Sequence, residues 1–160
     1  MSKQIVNHVD NDVLYSSETA QTMSELLIEA VRDGIDLAHA DLRKADLSGG
    51  KLRGIVLFDA DLTEADLSKT DLSGAALAYA NLTGAKLEKS ILQGAFLPGA
   101  NLTNANLQGA YMPGADLREA NLTGANFADS DTTGARLYKA TLPNGVVNEV
   151  KDPLVRGLHQ

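Results

Sequence analysis

From residue 35 to residue 144 apolar and polar positions recur with a period of five, without a break. Leu holds every fifth position from Leu37 to Leu142 in 19 of 22 units, and Met112, Phe127 and Thr132 hold the other three. Two positions earlier, 16 of 22 residues are Ala; the exceptions are Ile35, Gly50, Ile55, Thr70, Ser90 and Ser130. The residue between them is usually Asp or Asn, as in Ala40-Asp41-Leu42, Ala65-Asp66-Leu67 and Ala120-Asn121-Leu122. A period of five fits neither a helix nor a straight strand, because on a helix these Leu residues would smear around every face. It fits a short strand plus a corner. Leu and the small residue two before it point inward, and the residue between them points out. The slot two after Leu is Gly in ten units, as expected of a corner that needs positive φ.

A longer period counts the sides of the coil. Gly54, Gly74, Gly94, Gly114 and Gly134 recur every 20 residues, as do Thr63, Thr83, Thr103 and Thr123 and also Asn81, Asn101 and Asn121. Four units per turn make a square solenoid. With coils stacked at about 4.8 Å, about 5.5 coils form a rod of roughly 26 Å. The residues of 35–144 resemble the pentapeptide-repeat family and its A(D/N)LXX pattern. The resemblance implies an all-β solenoid, a right-handed quadrilateral parallel β-helix. Thr132, with a hydroxyl where Leu belongs, departs from the pattern and predicts a frayed last coil or a backbone hydrogen bond. Gly50 predicts a small gap in the core, and Ile35 and Ile55 predict wider first coils.

The ends of a solenoid need cover. Met23, Leu26, Leu27, Ala30 and Val31 form a helical stripe. Thr22 and Glu25 have capping-box spacing, and Gly34 suits the position after a helix end. A helix over 23–33 is therefore expected to cap the first coil and pack on Ile35 and Ile55. Val13-Leu14-Tyr15 reads as a strand extending that coil. The division is an N-terminal arm with capping helix (1–34), the β-helix (35–144) and a C-terminal tail (145–160). In the tail Val146, Val147, Val150, Leu154, Val155 and Leu158 either plug the last coil or meet a second copy of the chain, and Pro153 interrupts any long helix. The family resemblance implies that dimerisation through this end is common.

Composition narrows the chemistry. There is no Cys or Trp, which excludes disulfides, cysteine-ligated metal centres and a cysteine nucleophile. His8, His39 and His159 have no metal-ligand spacing, and His39 reads as a solvated corner residue. D-x-D-x-T stretches at Asp59–Thr63 and Asp129–Thr133 fall in the repeat register, with no doubly wound sheet around them. The latter also resembles half a calcium loop, yet its twelfth position is Ala140. No enzyme and no cofactor are expected. The N-terminus has no secretory h-region and no apolar run long enough to span a membrane, so a cytoplasmic protein without a membrane partner is expected.

The net charge of −7 disfavours direct binding to nucleic acid. Only −3 of it lies in residues 35–144, where Asp41, Asp46, Asp61, Asp66 and Asp71 are interleaved with Arg43, Lys44, Lys51, Arg53 and Lys69. Within the resembled family, quinolone-resistance proteins imitate DNA with an acidic rod and engage type II topoisomerases such as gyrase. That activity is the alternative reading here, weakened by the mild charge and the near-uniform Leu slot. The leading reading is a rigid scaffold for protein–protein interaction. Five of seven aromatic residues point outward in this register, and only Phe127 takes a core slot. Clustered exposed aromatics mark interfaces, so Val56, Phe58, Tyr79, Ile91, Phe96 and Tyr111 are the expected contact surface for another protein or a second copy. The competing expectation is that the arm or the tail lies across them. The Thr/Asn columns are expected to hydrogen-bond along the rod.

Overall fold

A computed structural model describes residues 3–150. Its elements are strands β1 (Lys3–Asn7) and β2 (Val13–Ser17), helix α1 (Met23–Arg32) and strand β3 (Ala40–Asp41), after which the chain coils in short parallel bridges. Each bridge joins residues twenty apart, from Asp41↔Asp61 to Asn121↔Thr141. The coil therefore has four sides per turn, as the twenty-residue period predicts. The Leu and Ala slots form one continuous buried core, with Leu47, Leu57, Leu82 and Leu102 fully enclosed. Among the described residues no helix is long and apolar enough to cross a membrane.

The backbone explains the five-residue unit atom by atom. In the unit from Asp61 to Ala65, Asp61 N–H donates to Ala40 O (2.9 Å), and Leu62 N–H to Asn81 O (2.8 Å). Glu64 N–H donates to Thr83 O (2.9 Å), and Ala65 N–H closes the corner on Leu62 O (3.0 Å). That leaves Thr63 N–H, which donates to the unit's own Asp61 Oδ1 at 3.0 Å. All five donors are satisfied, as buried or half-buried backbone requires. The same bond recurs wherever Asp or Asn holds this slot, for example Asn101 to Thr103 (3.1 Å) and Asp131 to Thr133 (2.9 Å). The Asp/Asn preference is an acceptor for a donor that the coil leaves over.

Where the slot holds Phe96, Tyr111 or Thr141, the residue two later is Pro98, Pro113 or Pro143, which has no N–H to satisfy. The two solutions are equivalent for the backbone.

Every corner residue from His39 to Lys139 has φ between 52° and 68°, and eleven of these are not Gly. An L-residue there costs roughly 1–2 kcal/mol, so the ladder overrides local preference at half the corners. Polar residues in Ala slots return their hydroxyls to turn carbonyls, Thr70 to Leu47 O (2.7 Å) and Ser90 to Leu87 O (2.8 Å). Thr132 is buried within the last coil, at 7% exposure.

Helix α1 carries the expected capping box: Glu25 N–H donates to Thr22 Oγ1 (3.0 Å), and Thr22 N–H to Glu25 Oε2 (3.2 Å). Leu26, Leu27 and Ala30 bury into the core, while Val31 stays exposed. Leu27 and Val31 share a groove with Leu52 and Ile55. Gly50 does not leave a gap. A Cβ there would lie 2.6 Å from Ser24 Oγ and 2.9 Å from Leu47 O, so the helix occupies the space the missing methyl vacates.

The arm also corrects the sequence reading. β2 contains Val13-Leu14-Tyr15, yet it lies outermost in a sheet ordered β2-β1-β3. β1 is the strand on the coil, pairing antiparallel with β3 through Val6↔Asp41 and Asn7↔Ala40. Its one fully buried side chain is Ile5, too weak a pattern to read as a strand. At the other end the chain turns at Gly145 (φ 82°) and runs back antiparallel, with Thr141 bridged to Val147 and Asn148 N–H donating to Ala140 O (2.8 Å). Val146, Val147 and Val150 are exposed, so this stretch extends the coil's edge and does not plug it. Leu154, Val155 and Leu158 lie outside the described residues.

Two stability outcomes follow from this geometry. Asn101→Ala strands the Thr103 donor and is expected to cost about 1–3 kcal/mol in urea unfolding; adding Thr103→Pro recovers most of it, by analogy with Phe96 and Pro98. Gly50→Ala matches the repeat pattern yet presses on Ser24, and a loss of about 1–3 kcal/mol is expected in the same assay.

Candidate interaction surface

Outward side chains stack in columns because the bridges hold them in register. Val56, Ala76, Phe96, Asp116 and Arg136 form one column, and Asp71, Ile91, Tyr111 and Asp131 another, on the side just before it. Phe58 shares a side with Val56, and Tyr79 stands at the corner that ends that side one coil later. Their rings meet edge to face at 5.6 Å. Phe58 in turn meets His39 at 6.4 Å, also edge to face. Tyr79 lies down on the next coil, where a Cβ on Gly99 would fall 2.6 Å from its ring. A side chain at that corner would have to displace the Tyr79 ring.

All six residues singled out from the sequence are exposed: Val56 54%, Phe58 43%, Tyr79 58%, Ile91 38%, Phe96 44% and Tyr111 44%. Described parts of the arm and tail therefore leave them open. The structure brings Phe58 and Tyr79 into contact and makes Ile91 and Tyr111 column neighbours, on two sides that adjoin at one corner. Four of the six (Val56, Ile91, Phe96 and Tyr111) occupy the outward slot that elsewhere supplies the Asp/Asn acceptor.

Sequence reasoning did not anticipate the charged end of this side. Asp116 is only 6% exposed. Arg118 grips it two-handed, Nε to Oδ1 at 2.7 Å and Nη2 to Oδ2 at 2.6 Å, and Arg136 approaches at 3.4 Å. Burial pushes the Asp116 carboxyl up, but the Arg118 hydrogen bonds and the two guanidinium charges outweigh it and hold it below the usual range. The column's stacking at twenty-residue spacing was readable; the burial that makes this a tight cluster was not.

Several other outward acids are also paired. Asp41 holds Arg43 (Nη2 to Oδ2, 2.5 Å), Asp66 faces Lys86 (3.7 Å) and Asp71 faces Arg53 (3.6 Å). The Thr/Asn columns bond within a coil and not along the rod: Thr83 and Thr103 hydroxyls each donate to their own unit's Asn Oδ1 at 2.6 Å. A second unforeseen grouping joins His8, His39 and Asp59. His39 is the corner residue the register predicts, its side chain 40% exposed, with Nδ1 shielded and facing Asp59.

Sequence models described as Pentapeptide repeats match the chain in eight copies, over residues 27–57, 56–94, 80–118 and 100–143. The chain belongs to the pentapeptide-repeat family, whose members form right-handed quadrilateral β-helices. Among solved structures it is similar to the pentapeptide repeat protein Rfr23 from the cyanobacterium Cyanothece 51142, with 43% identity and a TM-score of 0.50 over 58% of this chain and 60% of that one. A pentapeptide repeat protein of the Arabidopsis thaliana thylakoid lumen is 33% identical over 65% of this chain and 69% of that one, with a TM-score of 0.48. A trypsin-treated form of QnrB1, a plasmid-mediated fluoroquinolone resistance protein, aligns with a TM-score of 0.56 at 18% identity, over 66% and 62% of the two chains. At that identity the likeness is one of fold. A comparison with curated proteins finds no match.

The acceptor slots make stability depend on acid. Hydrogen bonds from Ser48, Ser68, Ser73 and Thr133 hold Asp46, Asp66, Asp71 and Asp131 below the usual carboxylate range, and the Arg43 side chain does so for Asp41. Folded values below unfolded ones contribute stability above the unfolded range, near pH 4, and lose it as pH falls through the folded values. The melting temperature is expected to be flat from neutral pH to about 5 and to fall steeply below about 4. Asp71→Asn keeps the Oδ1 acceptor and removes the charge, so it should reduce the acid loss with little change at neutral pH.

Proposed function

We propose that the protein is a non-enzymatic, rigid scaffold whose Val56–Phe58–Phe96 side, with Tyr79, Ile91 and Tyr111 at its margins, docks on another protein. One observation carries this reading. Four large apolar residues stand in a slot that the backbone otherwise reserves for Asp or Asn, and all four are exposed. Two of them are followed by a proline that removes the donor left without an acceptor. Nothing in the coil's own hydrogen bonding calls for an aromatic there, so the aromatics answer to something outside. The column ends in Asp116, Arg118 and Arg136, one positive charge in excess, which suits a partner with an apolar patch bordered by acids. The right hand of the coil and the capping role of α1 are part of this reading, taken from the family and from the helix's burial against the core.

The alternative, DNA mimicry toward a type II topoisomerase, calls for a continuous negative face. The pairing of Asp41, Asp66, Asp71 and Asp116 with bases weighs against one.

The test compares wild type with a Phe58→Lys/Phe96→Lys double variant, by sedimentation for self-association and by quantitative co-purification from the native host. Both positions are exposed, so the variant should melt within a few degrees of wild type. The expected result is a dimer or a defined partner lost in the variant. A topoisomerase retained by both proteins would move the reading to mimicry, and identical behaviour in every assay would sink the apolar side as a contact surface.

A further inference from the structure

His8, His39 and Asp59 are distant in sequence, and the arm brings them to one corner. The His8 N–H donates to the His39 carbonyl (2.8 Å), which fixes the end of β1 over the first corner. The His39 N–H donates to the Phe58 carbonyl (3.0 Å), which sets Asp59 on the neighbouring coil beside His39. Both corner residues are in the left-handed region, with φ of 61° and 52°. Backbone bonds therefore bring the three residues together, and all three are half-buried. One ring nitrogen of each histidine and one Asp59 carboxylate oxygen lie within 4.8 Å of one another.

The contact between His39 and Asp59 is informative. Nδ1 of His39 stands 2.9 Å from Asp59 Oδ2 and is shielded from solvent, yet it makes no directed hydrogen bond. A shielded ring nitrogen without a hydrogen bond, beside a carboxylate oxygen, leaves both atoms available to an ion after a small separation. In a tetrahedral site with bonds of about 2.0–2.1 Å, neighbouring ligand atoms sit about 3.3 Å apart. The two imidazoles are borderline donors and the carboxylate a hard one, a mixed set in which the nitrogens favour zinc-class ions over magnesium or calcium.

We propose that His8, His39 and Asp59 form a three-ligand site for a divalent transition-metal ion, with its remaining coordination position open to water. His8 Nε2 also lies 2.7 Å from the Asp59 carbonyl oxygen. Coordination through His8 Nδ1 keeps that bond as an outer support of the kind metal-bound histidines use; coordination through Nε2 replaces it. The ion ties the arm to two successive coils next to the ring contact between His39 and Phe58, so it acts as a clasp on the N-terminal sheet. The proposal rests on these residues alone and is independent of the docking surface.

The test uses the untagged full chain, stripped of metal and titrated calorimetrically with Zn²⁺, with Co²⁺ as a visible probe. The variants are His8→Gln, His39→Asn and Asp59→Asn; Asn suits the positive φ of both corners. Wild type is expected to bind one Zn²⁺ per chain, to show the absorption of low-coordinate Co²⁺ and to melt at higher temperature with metal. Each variant should lose affinity by at least about tenfold, the scale on which loss of even an outer-shell partner is felt, together with the metal-dependent rise in melting temperature. Three separate variants keep the question open to refutation if one folds poorly. Binding that is substoichiometric, or equal in wild type and all three variants, overturns the site and places any ion elsewhere, for instance at His159.

Discussion

The interaction on which the rest depends is the ladder of backbone hydrogen bonds between residues nineteen and twenty-one apart. It is parallel and in register, so every coil must spend twenty residues on its circuit, and every side chain stands over its counterpart. A single inserted residue would turn each following Leu away from the axis. That rigidity makes the core uniform: a layer of Leu, a layer of small residues, repeated to the end. It also sets the terms for strain. A corner at φ near 60° costs Lys69 or Glu119 more than it costs Gly, and the ladder accepts the cost because bonds on both sides hold the corner in place.

A parallel ladder has two open edges, and an open edge recruits strangers. One side of each edge is closed here by the same device, a segment running antiparallel to the last coil it meets. β1 does so at the first edge against β3, and the stretch around Val147 at the other against Thr141. Antiparallel pairing is what short turns permit, since a parallel addition would need another full circuit. Helix α1 adds Leu26, Leu27 and Ala30 to the buried core. The pairing of β1 with the first coil is also what brings His8 beside His39 and Asp59.

What the sequence revealed and what it concealed divide along that line. The coil, its four sides, the corners and the capping box are local or periodic, so Leu37 to Leu142 and Thr22 with Glu25 announce them. The outward register of Phe58, Phe96 and Tyr111 came from the same periodicity. Segments without a period had no such support. Lys3 to Asn7 contains one inward residue, Ile5, and its place on the coil depends on contacts with Ala40 and Asp41. Gly50 looked like an omission because the pattern knows only its own coil, whereas Ser24, on the helix, fills the space. His8 was unreadable as a neighbour of His39 for the same reason, although the stacking of His39 and Asp59 is twenty residues and could be counted.

The acceptor slot explains how such a repetitive molecule can carry an individual surface. Where Asp or Asn closes the unit, the outward position is committed to the backbone and is not free to vary. Replacing it with an apolar side chain strands a donor, unless the next residue but one is proline. Phe96 with Pro98 and Tyr111 with Pro113 meet that condition, so their rings are supported by a backbone change that leaves the ladder whole. A side built in this way is already rigid before it meets a partner. Binding then costs little beyond ordering a few rings with two torsions each, which is the advantage a solenoid has over a flexible loop carrying the same residues.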